Sequence, residues 1–163
     1  MVKYSQQDIL DILEDVKDPE IPVISIVDMG IVRKVDYEGE KMIVTITPTY
    51  SGCPAMKEIE DEIIKRLSQE GIDNLEVKSS IKESWTTDWL SEKGRVALKE
   101  YGIAPPEDSS SDKRALMGES RIVQCPNCGS KNTKMVSQFG STPCKSLFQC
   151  SDCGEPFDYF KCI

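Results

Sequence analysis

The stretch that decides the fold runs from Met42 to Met56 and reads M-I-V-T-I-T-P-T-Y-S-G-C-P-A-M. Its first six residues alternate in polarity and are rich in β-branched side chains, which predicts a strand. Pro48 ends that strand, because proline has no N–H to donate to a sheet. Pro54 predicts the first turn of a helix, where its missing N–H is not needed. A strand, a short loop and a helix therefore follow one another directly.

Cys53 lies between the loop and this helix, where the sequence predicts the N-cap. The first N–H groups of a helix have no partner within it, and the helix dipole is positive at that end. Both features lower the pKa of a thiol and favour the thiolate, which is the form that binds metal or attacks an electrophile. A small buried cap residue is the other interpretation, and the local sequence leaves both open.

The rest of the first 102 residues predicts an α-β-β-α-β-α order. Apolar spacing predicts a helix before Pro19, and alternation predicts a hairpin between Ile31 and Thr47 and a third strand from Leu75 to Lys82. A last helix ends before Gly102, and the two tryptophans are assigned to packing. Helices on one face of a small, mostly antiparallel three-stranded sheet make an α+β domain.

Composition divides the chain into three parts. Residues 103–120 contain two adjacent prolines and a serine run with few apolar side chains, which predicts a flexible linker. The predicted parts are therefore an α+β domain over residues 1–102, a linker over residues 103–120 and a small cysteine-rich module over residues 121–163.

The cysteine-rich module contains two C-x-x-C-G motifs, beginning at Cys125 and at Cys150. Two residues between the thiols let one tight turn direct both sulfurs at a common point, so Cys125, Cys128, Cys150 and Cys153 predict a tetrahedral metal site of the structural zinc type. So short a segment needs the ion to fold as a β-rich ribbon. Iron in the same cage would make a rubredoxin-like electron-transfer site, and geometry alone does not separate the two metals.

Two cysteines of the module lie outside these motifs. Cys144 and Cys162 are predicted to be small buried side chains, which is the usual state of a free cysteine. Their positions also leave open a second, labile thiol site.

Two acidic residues lie in the proline-containing loop after the first helix. Asp18 and Glu20 could face a ligand, although solvated loop carboxylates are common and are the alternative interpretation.

Composition excludes several classes of function. The 163 residues include no histidine, which excludes Ser-His and Cys-His catalytic pairs and mixed Cys/His metal sites. The net charge is −8, without a basic block, so nucleic acid is not an expected partner. No run is long and apolar enough to cross a membrane, and the N-terminus lacks the apolar segment of a signal peptide. We expect a cytoplasmic protein.

Several longer motifs together resemble a known family. Asp18-Pro19-Glu20-Ile21-Pro22, Asp28-Met29-Gly30-Ile31-Val32 and the segment from Thr47 to Pro54 resemble the SufT-type iron–sulfur-assembly domain. The motif W-T-T-D-W at residues 85–89, Y-G-I-A-P-P at 101–106 and the tail E-P-F-D-Y-F-K-C at 155–162 are similar to the PaaD family of phenylacetyl-CoA epoxidase components.

The resemblance implies an accessory role without catalysis of its own. It implies a factor that assists iron–sulfur cluster or iron assembly in the reductase or the di-iron oxygenase subunit of the epoxidase during aerobic phenylacetate degradation. Cys53 would then handle a transient cluster or iron, with Asp18, Glu20 and Thr47 lining its pocket. The loop between Pro48 and Cys53 is longer than the compact form of the broader family.

One thiol supplies only one ligand, so dimerisation across Cys53, a small thiol or the client must complete such a site. A structural docking adaptor of the same complex, or the rubredoxin-like electron carrier, is the alternative function.

Overall fold

The computed structural model describes residues 4–50, 52–106 and 122–160. The helices and strands, in chain order, are α1 (Gln6–Leu13), β1 (Val32–Glu38), β2 (Lys41–Ile46), α2 (Ala55–Gln69), β3 (Leu75–Ser79), a 3₁₀ turn (Thr87–Trp89), α3 (Glu92–Glu100), β4 (Ile103–Ala104), β5 (Thr133–Ser137), β6 (Lys145–Cys150) and β7 (Pro156–Phe160). This element order confirms the predicted α+β class with a β-rich C-terminal part. Among the described residues, no helix has the length and apolarity that a membrane crossing requires.

The chain divides into two compact units, Met1–Trp85 and Thr86–Ile163. The first unit holds α1, α2 and β1–β3, whereas α3 belongs to the second unit together with β4–β7. Ile103 and Ala104, which the sequence placed in the linker, form β4 and pair with β7. The predicted linker from residue 107 onward lies outside the described residues, so the domain limits at 102 and 120 stay a prediction.

The first unit contains a three-stranded sheet in the order β1-β2-β3. β1 and β2 form the predicted antiparallel hairpin, in which Gly39 takes the positive φ of 65° that the turn requires. β2 and β3 pair in parallel, with Val44 opposite Val77. The sheet is therefore half parallel rather than mostly antiparallel, because α2 carries the chain back before β3 begins.

The two faces of this sheet differ in polarity. Met42, Val44 and Ile46 are buried on the face that packs against the apolar sides of α1 and α2. The other face carries three ion pairs, which are Lys34–Asp36, Lys41–Glu76 and Lys78–Glu38. The helices therefore cover only one face, as the sequence predicts.

Side-chain hydrogen bonds fix where α1 begins. Ser5 and Asp8 form a capping box at the start of α1, since the Ser5 hydroxyl accepts the Asp8 N–H and the Asp8 carboxylate accepts the Ser5 N–H. α1 ends at Leu13, earlier than the apolar stripe predicts, although Val16 is still buried.

The second unit is built on a four-stranded sheet in the order β4-β7-β6-β5. Its core includes the Phe148 ring, which contacts Phe157 at 6.0 Å and Tyr159 at 5.6 Å between ring centroids. The Arg95 guanidinium of α3 donates to the carbonyl oxygens of Thr87 and Pro106, both at 2.8 Å. α3 is thereby fastened to the segments before and after it.

Candidate functional site

A turn presents Cys53 at the start of α2. The Cys53 N–H donates to the Tyr50 carbonyl oxygen at 3.3 Å, and Gly52 takes a positive φ of 77° that side chains rarely adopt. Pro54 is the N-cap of α2 and contributes no side-chain cap. Cys53 therefore lies one residue before the N-cap, although the sequence predicted it to be the N-cap itself. The longer loop after Pro48 is used to build this turn.

The Cys53 thiol is partly exposed and has opposing influences on its pKa. Burial raises the pKa most, whereas hydrogen bonds from the Ala55 N–H and the Tyr50 hydroxyl lower it. The negative charges of Glu20 and Asp18 raise it further. The net pKa lies above the ordinary value of a thiol, so the predicted lowering is wrong. The helix start does donate an N–H, but desolvation outweighs it.

The loop acids are brought to the same neighbourhood as Cys53. The Asp18 carboxylate is buried and accepts the N–H groups of Glu20 at 2.8 Å and Ile21 at 2.9 Å. These bonds hold the loop in place, so Asp18 is not the solvated acid of the alternative interpretation. Glu20 is partly exposed. Both negative charges raise the pKa of the Cys53 thiol.

Thr47 directly follows β2 and is buried. Its N–H donates to the Ile31 carbonyl oxygen at 2.9 Å, which joins the two segments that flank the hairpin strands. Its predicted role beside Cys53, like the roles of Asp18 and Glu20 in cluster handling, stays a prediction.

A cavity of about 420 Å³ lies beside this loop in the first unit. Asp18 and Pro19 form part of its wall, and α2 contributes Glu58, Glu62 and Lys65. Neither this cavity nor the contact of Tyr50 with the thiol follows from the sequence pattern. The i, i+4 spacing of the α2 acids would have shown that they share a helix face, but not that the loop packs over it.

The four predicted metal ligands come together in the second unit. The sulfur atoms of Cys125, Cys128, Cys150 and Cys153 lie within 4.8 Å of one another. The Cys125–Cys153 and Cys128–Cys150 sulfur distances are 3.8 Å and 3.6 Å. Tetrahedral coordination at a Zn–S distance of about 2.3 Å places sulfurs about 3.8 Å apart, so the four thiols fit a zinc ion.

The two motifs form equivalent knuckles. The Gly129 N–H donates to the Cys125 carbonyl oxygen at 2.9 Å, and the Gly154 N–H donates to the Cys150 carbonyl oxygen at 3.0 Å. Both glycines take positive φ. The Glu155 N–H and then the Asn127 amide lower the pKa of Cys153 to about 7, whereas burial and the neighbouring cysteines raise the pKa of Cys128 to about 12.

The structure describes one of the two cysteines that lie outside the C-x-x-C-G motifs of the second unit. Cys144 is buried, as the sequence predicts for a spare thiol, with its sulfur 3.0 Å from the Thr142 hydroxyl oxygen. Cys162 lies outside the described residues. A labile site at these two thiols stays a prediction.

Comparison with protein families gives one match for each part of the chain. Residues 6–78 match the family described as "Iron-sulfur cluster assembly protein", and residues 109–161 match the "PaaD zinc beta ribbon domain". Cys53 falls in the first match, and the four-sulfur cluster falls in the second.

Individual relatives agree with these matches. A protein of Escherichia coli (strain K12), provisionally named as the D component of 1,2-phenylacetyl-CoA epoxidase, is 45% identical over 93% of this chain and 90% of its own length. An "Fe-S protein maturation auxiliary factor" of Porphyromonas gingivalis is 33% identical over 58% of this chain and 90% of its own length. The crystal structure of a DUF59 domain from Bacillus anthracis is 29% identical, with a TM-score of 0.52, over 57% of this chain and 90% of that chain.

Proposed function

The chain belongs to the PaaD family of phenylacetyl-CoA epoxidase components, and we propose that it is a maturation factor of that multicomponent oxygenase. It assists the assembly of an iron–sulfur cluster or of iron in a partner protein, during aerobic phenylacetate degradation in the cytoplasm. It does not itself turn over phenylacetyl-CoA. The clients are the iron–sulfur reductase subunit or the oxygenase subunit.

The observation that supports this proposal most is the presentation of Cys53. Its thiol is partly exposed on a turn that precedes a helix, inside the segment that matches the iron–sulfur-assembly family. Relatives that share this segment are named as maturation factors for iron–sulfur proteins. A buried cap residue would not need a glycine-dependent turn that leaves its side chain partly exposed.

The transfer is an exchange of ligands and needs no electron. The Cys53 thiol gives its proton to solvent as its sulfur bonds to iron, and a ligand side chain of the client later displaces that sulfur, which leaves as a thiolate. Because the pKa of Cys53 is raised, the sulfur is readily reprotonated after release. A thiol of this kind holds iron only while other ligands help it, which suits a carrier.

A single thiol leaves the other iron positions to other ligands. These come from a second copy of the chain, a small thiol or the client itself. Dimerisation across Cys53 predicts that a cluster-loaded sample is dimeric in native mass spectrometry. A loaded monomer without a small thiol would contradict the dimer, but not the carrier.

The four-sulfur site has a separate, structural role in this proposal. A zinc ion at Cys125, Cys128, Cys150 and Cys153 would hold the second unit folded and would not take part in the transfer.

The test compares wild type with Cys53→Ser, and uses Cys144→Ser as the matched control at a buried thiol. Iron and acid-labile sulfide are measured anaerobically in the carrier and in the epoxidase subunits produced with it. Cys53→Ser should leave the fold and the zinc content unchanged, while the client subunit lacks its metal. A fully loaded client made with Cys53→Ser would end the proposal.

A further inference from the structure

β5 lies at one edge of the sheet in the second unit. The sheet order places β6 on one side of β5 and no further described strand on the other. An edge strand presents backbone N–H and C=O groups with which another polypeptide can pair. β5 has five residues, and its ladder with β6 shifts register between Met135 and Ser137, so Val136 has no opposite residue in β6.

Large apolar side chains are exposed along and just after this strand. Met135, Val136 and Phe139 are 52%, 55% and 65% exposed. We name these three residues the β5 patch. Single exposed apolar residues are ordinary, but three within five positions on a sheet edge indicate a contact surface for another protein.

The stretch of sequence that contains the β5 patch carries charge of one sign. Residues 121–151 contain no aspartate or glutamate, in a chain that has 28 of them. Lys131 and Lys134 are exposed beside the patch. Two carboxylates from outside this stretch lie near it and accept hydrogen bonds: Asp152 from Ser130 and Asn132 at the knuckles, and Asp158 from the Ser141 hydroxyl. The surface therefore complements a partner segment that is both apolar and acidic.

We propose that the β5 patch receives an extended, acidic segment of the client epoxidase subunit, which pairs with β5 as a fifth strand. This inference rests on the proposed function, because it names the surface by which the carrier recognises its client. Backbone hydrogen bonds supply affinity, the β5 patch buries apolar side chains of the segment, and Lys131 and Lys134 select its charge.

A second copy of the chain is a poorer occupant. A symmetric pair of β5 strands would set one lysine-bearing strand against another, and like charges on neighbouring strands are destabilising. A contact between β5 and the first unit of another copy would make a closed oligomer or a filament of the chain alone, without any epoxidase subunit.

The test measures binding of the full-length, zinc-loaded chain to each purified epoxidase subunit by biolayer interferometry. The variants are Lys134→Glu and the double variant Met135→Ser/Phe139→Ser. The matched controls are Lys82→Glu and Ile81→Ser, which change an exposed lysine and an 81% exposed isoleucine in the first unit. An unchanged zinc content shows that each ribbon variant is folded.

We expect one subunit to bind, with Kd about tenfold weaker for each β5 variant and unchanged for the controls. Added salt should weaken binding of wild type more than that of Lys134→Glu. Equal affinity of the β5 variants and wild type would overturn the inference, as would binding of double-stranded DNA instead of any subunit. If the β5 variants bind normally while Cys53→Ser still leaves the client without metal, the docking surface is wrong and the proposed function stands.

Discussion

The indole N–H of Trp85 donates to the carbonyl oxygen of Met29 at 2.8 Å, joining two residues that are 56 positions apart. Both residues are buried. The bond ties the last residue of the first unit to the segment between the Asp18 loop and β1. Trp85 therefore packs, as the sequence predicts, and also satisfies a buried carbonyl group.

Replacement of Trp85 by phenylalanine should destabilise the first unit. The ring is largely retained, but the Met29 carbonyl loses its partner in a buried place, which costs about 1–3 kcal/mol. Urea unfolding followed by circular dichroism measures the loss. Ile81→Ser, at an exposed position, should change the free energy of unfolding by less than about 0.5 kcal/mol. Equal stability of Trp85→Phe and wild type would contradict this prediction and would show that a water molecule donates to the Met29 carbonyl oxygen in place of the indole.

Alkylation of Cys53 should depend strongly on pH. Burial raises the pKa of this thiol, so the protonated form dominates at neutral pH and the reactive thiolate increases about tenfold per unit until the pH reaches that raised pKa. Peptide-resolved mass spectrometry after iodoacetamide treatment of the zinc-loaded chain gives the rate at each pH. An alkylation rate that no longer increases above pH 7 would contradict this prediction. It would mean that the hydrogen bond at the start of α2 affects the Cys53 pKa more than burial does.

Replacement of Glu20 by glutamine should lower the pKa of Cys53. The Glu20 carboxylate disfavours a second negative charge nearby, and glutamine removes that charge at similar size. The alkylation profile should therefore shift to lower pH, whereas Glu40→Gln, in the β1–β2 turn, should leave it in place. Glu20 is preferred to Asp18 for this measurement because Asp18 also holds two loop N–H groups. Superimposable profiles would remove Glu20 from the site.

Loss of the metal should unfold the ribbon. The pairs of sulfurs at 3.6 Å and 3.8 Å repel when they are ionised without a cation, and the small core around Phe148 does not compensate. Cys150→Ser should lose zinc and the amide dispersion of β6 and β7 in NMR spectra, while signals of the first sheet persist. Cys144→Ser should retain about one zinc per chain. Iron in place of zinc at these four cysteines, lost in Cys150→Ser and kept in Cys53→Ser, would instead favour the electron carrier.

The sequence predicts elements with regular patterns and misses those whose position depends on contacts. The hairpin before Pro48 and the two knuckles follow from alternation and from cysteine spacing, and both are present. β4 has only two residues, so it shows no period, and its position depends on pairing with Asp158 and Tyr159 of β7, far along the chain. For the same reason the sequence does not show that α3 groups with the strands of the second unit.

The predicted lowering of the Cys53 pKa is wrong for a related physical reason. The sequence shows the start of α2, and hence the N–H of Ala55 that favours a thiolate. It does not show that the chain partly buries the sulfur, nor that Glu20 and Asp18 are near it in space. Desolvation and charge are sums over neighbours, and these neighbours lie more than thirty positions away in sequence.

The ion-paired face of the first sheet restricts how this unit can be approached. Any protein that covered this face would have to strip hydration from six charged groups that are already matched among themselves. A complex formed on this face would gain little attraction and lose much hydration free energy, so we expect it to dissociate quickly. Lasting association is directed to the rims and loops, where Cys53 is found.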